Sequence, residues 1–174
     1  MEEADAMVNV VEKYGVKFNY GTNRRFTRMF WRIRELISNG DLGKIPAVIA
    51  CCGVGVAQRW HTHTADLLLQ MAQDAEIDFV QGTITAKESD WEENRLNTDP
   101  GIAMGYVQFK NEVRGYITAA TGYEFEISGS NGKLRIENDG AFCQWRKASG
   151  EWNLLEAVEF PDVLRDSATV NCIN

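Results

Sequence analysis

The sequence predicts an α+β fold: a largely antiparallel open sheet with helices on one face. Three observations carry that expectation. Apolar residues recur at helical spacing through most of the chain up to Asp74, and at strand spacing after it. Asn131-Gly132 stands between two alternating runs, the strongest short-range signal for a hairpin. The later strands follow one another across short polar turns, without the strand–helix alternation of a parallel sheet.

Met7, Val8, Val11 and Tyr14 fall on one face of a helix over 2–14, and Gly15 is a natural residue to end it. Val16 to Tyr20 alternates like a short strand, and Gly21 to Phe26 is a polar, basic loop. Phe30, Ile33 and Ile37 mark the buried face of a second helix over 27–38, closed by Asn39-Gly40. Ile45 to Cys52 is a hydrophobic strand. A third helix runs over 63–73, with Leu67, Leu68 and Met71 at helical spacing. Strands are expected over 77–86, 102–109, 113–120, 123–128, 133–137, 141–146 and 152–158, with a long polar loop over 87–100. Residues 1–174 read as one domain, of a size that buries roughly two-thirds of its unfolded surface. Residues 161–174 read as a C-terminal tail. The abrupt start, MEEADAM straight into a helix, gives the expectation that the chain begins inside a longer protein.

Eighteen Lys and Arg against 25 Asp and Glu leave a net charge of -7. A nucleic-acid binder needs a basic footprint that releases counterions, so no nucleic-acid partner is expected. A polybasic membrane surface is disfavoured for the same reason, and no apolar run is long enough to span a bilayer. The first residues lack the basic segment of a signal peptide, and the cytoplasm is the expected compartment. The cysteines, Cys51, Cys52, Cys143 and Cys172, form no C-x-x-C pair and no zinc-site spacing with histidine. No metal is expected, and free thiols in a reducing environment are. Cys51 and Cys52 are adjacent in a strand and point to opposite faces.

The motif richest in chemistry is His63-Thr64-Ala65-Asp66. His61 and His63 are the only two histidines of the chain. A carboxylate three residues after His63 lies on the same side of a helix. An imidazole at a helix start suits proton transfer. A plainer reading stays open, in which His63 caps or packs and Asp66 offsets the helix dipole. Gly53-Val54-Gly55-Val56-Ala57-Gln58 follows a strand, but Gln58 replaces the third glycine of a dinucleotide fingerprint, and a flexible turn is the simpler account. Arg24-Arg25 either clamps an oxygen-rich ligand or pairs with acids at the surface. Tyr106, Tyr116, Tyr123, Phe109, Phe125, Phe142 and Trp145 decorate the strands. A sheet covered on one face leaves the other for a partner subunit, so a homo-oligomer is expected.

Three ordered segments go further: MEEADAMVNVVEKYGVKFNYGTNRRF, then RELISNGDLGKIPAV, then HTADLLLQMA with ITAKE and FEISGSNGKLRIEN. Together, from about residue 2 to about residue 147, they resemble the C-terminal half of the glucose–fructose oxidoreductase / inositol dehydrogenase (Gfo/Idh/MocA) family. The resemblance implies a dihydrodipicolinate-reductase-like C-terminal domain that binds substrate and oligomerises through its open sheet face. It implies a parent that oxidises a CH–OH carbon of a sugar, polyol or related compound with NAD or NADP. The N-terminal Rossmann domain would precede Met1, and this chain alone would hold no cofactor and be inactive. His63 falls on the family's catalytic histidine, Asn23 and Arg24 fall in the segment bordering the substrate pocket, and Asp66 is the structural acid of the pair. Arg59 stands where many members carry an aspartate four residues before the histidine. An arginine cannot act as a base at neutral pH, but it could hold an acidic group of the substrate. The alternative is a non-catalytic module that binds a sugar-like ligand or another protein.

Overall fold

The Thr27 hydroxyl accepts the Phe30 N–H and starts the first helix of the core, α2 (Arg28–Ser38). Met29, Phe30, Ile33, Leu36 and Ile37 recur every three to four residues along it, and all are buried. Gly40, at φ 77, takes the left-handed conformation that turns the chain after the helix. The computed structural model describes residues 2–18, 20–149 and 154–160. The other core helix, α3 (His61–Met71), buries Leu67, Leu68 and Met71 on the same side as His61 and Thr64.

Both helices cover one face of an eight-stranded sheet. Its strands are β1 (Ala47–Cys51), β2 (Ile77–Ile84), β5 (Ile102–Phe109), β6 (Arg114–Thr118), β7 (Glu124–Gly129), β8 (Gly132–Glu137), β9 (Phe142–Ser149) and β10 (Leu154–Val158). Their order is β10-β9-β8-β7-β1-β6-β5-β2. β1 lies in the middle, parallel to β6 and antiparallel to β7. The other pairs are antiparallel. The predicted α+β class with helices on one face is therefore the observed one.

The period-two pattern sorts the faces. Val48, Ala50, Phe125, Ile127, Leu134, Ile136 and Trp145 point to the helices and are buried. Their neighbours on β7 and β8 point the other way and form ion pairs, Lys133–Glu126 at 2.7 Å and Arg135–Glu124 at 2.8 Å. Towards the β2 edge the same outer face turns aromatic. Phe79, Tyr106 and Tyr116 sit side by side across three strands, with ring centroids 5.5 and 5.3 Å apart.

Several expected boundaries differ. The third helix begins at His61, two residues earlier than expected, because the turn before it coils directly into the helix through Trp60 and His61 N–H bonds to the Val56 carbonyl. The loop over 87–100 contains a 3-10 turn (Glu88–Asp90) and a small hairpin, β3 (Trp91–Glu92) with β4 (Arg95–Leu96). The expected strand over Val16–Tyr20 is not formed by its described residues, which have no strand to pair with. The first helix, α1 (Glu2–Tyr14), has the expected length but buries none of its residues. The tail over 161–174 lies outside the described residues.

Gly129 ends β7 where a side chain has no room: a Cβ there would lie 2.2 Å from the Leu42 carbonyl oxygen and 2.9 Å from the Leu42 Cβ. Gly129→Ala is expected to cost roughly 1–3 kcal/mol of stability, the usual range for forced overpacking. Urea denaturation checks it, and an unchanged midpoint would mean that the 41–43 turn yields freely.

Candidate functional site

The two histidines at the start of α3 have different surroundings. His61 is 2% exposed, and its Nε2 accepts the Gly55 N–H at 3.2 Å. The neutral ring then carries its proton on Nδ1, which faces the Thr64 hydroxyl at 3.3 Å. Both nitrogens are satisfied, and His61 ties the loop after β1 to the first turn of α3. Burial pushes its pKa down.

His63 is half-buried, and its Nδ1 is buried without a hydrogen-bond partner among the described residues. Burial and the nearby Arg24 push its pKa down, while Asp139 and Asp66 oppose them. The imidazole is therefore neutral at neutral pH, with a lone pair free to accept a proton. Tyr123, just before β7, has a buried hydroxyl with no partner at full hydrogen-bond distance among the described residues, and the Thr64 hydroxyl is the side chain that acts on it. Burial drives that phenol well above its ordinary pKa, so it stays protonated. Cys52, beyond the end of β1, is pushed up to about 11 by burial and is a thiol, not a nucleophile.

The two arginines of the polar loop take separate roles. Arg25 is turned inward to α3. Its Nε donates to Asp66 Oδ2 at 2.9 Å, and its NH2 group reaches Asp66 Oδ1 at 2.7 Å and Asp74 at 3.1 Å. Arg24 faces the His63 side. Its Nε donates to Asp139 at 2.8 Å, and the guanidinium carbon lies 4.7 Å from the centre of the Tyr123 ring.

Of the residues singled out in the sequence, the fold brings Arg24 close enough for its charge to act on His63. Asn23 is half-buried immediately before the 3-10 turn (Arg24–Phe26). Asp66 is engaged by Arg25. Arg59 is exposed on the turn ahead of α3. Sequence reading missed Tyr123 as a site residue, and also Asp139, Thr64 and Cys52. Asn138-Asp139-Gly140 was the available signal, since that composition favours a left-handed turn.

The glycine loop over 53–58 does not fit a dinucleotide phosphate. A phosphate cradle needs free N–H groups. Here Gly53 donates to Ala120 O, Gly55 to His61, Ala57 to Pro100 O and Gln58 to Asp99. Among the described residues no cluster of His, Cys, Asp and Glu could hold a metal ion, and no helix is long and apolar enough to cross a membrane.

No protein-family model matches the sequence, and no curated protein matches it. Solved structures do match in fold. Levoglucosan dehydrogenase, in complex with NADH and L-sorbose, is 16% identical over 97% of this chain and 52% of its own, with TM-score 0.71. An oxidoreductase from Pseudomonas syringae is 16% identical over 91% of this chain and 46% of its own, with TM-score 0.68. A super-repressor mutant of Gal80p from Saccharomyces cerevisiae is 15% identical over 99% of this chain and 53% of its own, with TM-score 0.69. This chain spans about half the length of each. It has the fold of the C-terminal α+β domain of the Gfo/Idh/MocA oxidoreductases, as the ordered segments of the sequence implied.

The histidines set a pH dependence. A group whose pKa is lowered by folding binds fewer protons in the native state, so stability is full above its ordinary value, about 6.5, and falls as pH drops below it. Urea midpoints should fall between pH 7.5 and 5.0. His61→Gln keeps an acceptor for the Gly55 N–H but has no charge to take up, and should flatten that fall. An equal fall in the variant would show that His61 charges as freely in the native state as in the unfolded chain.

Proposed function

We propose that this chain is the substrate-binding and oligomerisation domain of an NAD(P)-dependent oxidoreductase acting on a CH–OH group of a sugar, polyol or related compound. The observation that carries the reading is His63: a neutral imidazole in the first turn of α3 with an unpartnered buried nitrogen and the charge of Arg24 acting on it, in this fold. A carbinol loses a proton from oxygen and a hydride from carbon. His63 accepts the proton, and its depressed pKa keeps the base form available at neutral pH. Arg24 and Asn23 hold substrate hydroxyls, and Asp66 keeps α3 in place through Arg25. A nicotinamide cofactor would supply the hydride acceptor; the loop over 53–58 does not cradle its phosphates, and a nucleotide-binding domain outside the described residues would hold it. Alone, the chain is inactive and binds no cofactor.

Two exposed surfaces fit the rest of the reading. Met7, Val8, Tyr14, Val16, Phe18 and Tyr20 are each more than half exposed, an apolar surface suited to that second domain. The aromatic row on the open sheet face suits a second copy of the chain. Solved neighbours include dehydrogenases with NADH and L-sorbose or levoglucosan bound. The acidic composition and free thiols fit a cytoplasmic enzyme.

A second reading, a non-catalytic ligand-binding or protein-interaction module, is favoured by one observation. Asp139 and Asp66, the acids whose charges act on His63, are both paired to arginines, and Arg59 stands four residues upstream. The likeness to a Gal80p repressor mutant fits that reading too.

In the two-domain enzyme, His63→Ala should lower kcat by about 10²–10⁴-fold with cofactor affinity unchanged. Arg59→Ala should mainly raise KM if that arginine holds an anionic group of the substrate. Steady-state kinetics checks both. Small, equal losses would leave the first turn of α3 as structure only and favour the module.

A further inference from the structure

We infer that Asp139 is a positioning residue for the His63 site, holding Arg24 over the Tyr123 ring from a turn that is left-handed at three successive residues. The inference rests on reading His63 as the proton-handling group. The turn between β8 and β9 places Asn138, Asp139 and Gly140 at φ 50, 56 and 82. Asn, Asp and Gly take the left-handed conformation most readily, and surrounding contacts select one such turn. Here the surroundings do so. Ala141 N–H closes the turn on Glu137 and Asn138 carbonyls, and Gly140 sits against the Phe30 ring, where a Cβ would come within 3.2 Å. The Asp139 N–H then donates to the Tyr123 carbonyl at 3.1 Å. Tyr123 is itself left-handed, at φ 49. The left-handed turn and the left-handed Tyr123 are thus joined to each other, and both deliver side chains to Arg24.

Stability does not account for this arrangement. The Arg24–Asp139 pair is partly open to solvent, 22% and 42% exposed, and such pairs contribute little. What the turn secures is geometry. Asp139 takes the Nε of Arg24 and leaves the two terminal nitrogens of the fork outside that bond. It also sets a carboxylate against the cation nearest His63. The charged groups acting on His63 are Arg24 from the 3-10 turn, Asp139 from the β8–β9 turn and Asp66 from α3. Arg25 occupies Asp66, and Tyr123 and Cys52 are neutral. Arg24 and Asp139 therefore pull the imidazole in opposite directions, and the turn fixes their balance.

The test is an NMR pH titration of both histidine rings in this chain, as wild type, Asp139→Asn, Arg24→Gln and the double variant. Asp139→Asn should lower the His63 midpoint by roughly 0.5, less than the effect of a close buried charge. Arg24→Gln should raise it by a similar amount, and the double variant should fall between. His61 should stay put in all four. Asp139→Glu, which keeps the charge, should lie nearer wild type than Asp139→Asn. If Asp139→Asn does not fold, the Arg24→Gln and Asp139→Glu titrations decide. A His63 midpoint unmoved by the single changes, or moving together with His61, overturns the inference. A full set of expected shifts with normal turnover in His63→Ala enzyme would instead overturn the catalytic reading and leave the positioning role standing.

Discussion

Arg25 is the side chain on which the site depends. It spans from the polar loop to the middle of α3 and the turn beyond it, binding the Asp66 carboxylate through two nitrogens, the Asp66 carbonyl at 3.1 Å and Asp74 past the helix end. Gln70 returns a bond to the Arg25 carbonyl. Hydrogen bonds to charged groups contribute about 1.5–3 kcal/mol each, and less where water reaches them. Their sum fixes the loop against the helix. It also decides which arginine is left: with Arg25 committed to α3, its neighbour Arg24 is presented to His63. A lysine could not make this planar, forked contact.

The two histidines divide the work in the same manner. His61 is consumed by structure, with one nitrogen on the Gly55 N–H and the other toward Thr64. That bond keeps the glycine loop folded against the sheet and withdraws one of its N–H groups from any phosphate. His63, two residues on, is left with an orphan nitrogen. Buried polar atoms are nearly always paired, so an unpaired one calls for an explanation, a catalytic role among them. Among the described residues the buried unpartnered side-chain atoms are on His63, Tyr123, Gln70 and Trp145, and Arg24 lies over the ring of Tyr123 while its charge acts on His63.

Much of this was legible in the residues. The hairpin at Asn131-Gly132, the antiparallel strands and the burial stripe of α2 follow from local chemistry, and local chemistry built them. The central place of β1 was not legible, because a strand's neighbours are chosen by long-range pairing that no window of sequence contains. The Arg24–Arg25 pair could be read as important but not divided, since the division depends on Asp66 and Asp139, 41 and 115 positions away. Tyr123 read as one more strand aromatic. Its left-handed backbone, which takes it out of the alternation and into the site, comes from the β8–β9 turn and not from its own neighbourhood.

The central claim is that His63, and not His61, faces the ligand. It is tested most directly by following the ring nitrogen resonances of both histidines while the chain is titrated with a neutral sugar such as L-sorbose. The account predicts a saturable change at His63, with its unpartnered nitrogen gaining a hydrogen bond, and no change at His61. Binding that leaves the His63 ring untouched, or that moves His61 equally, would contradict it.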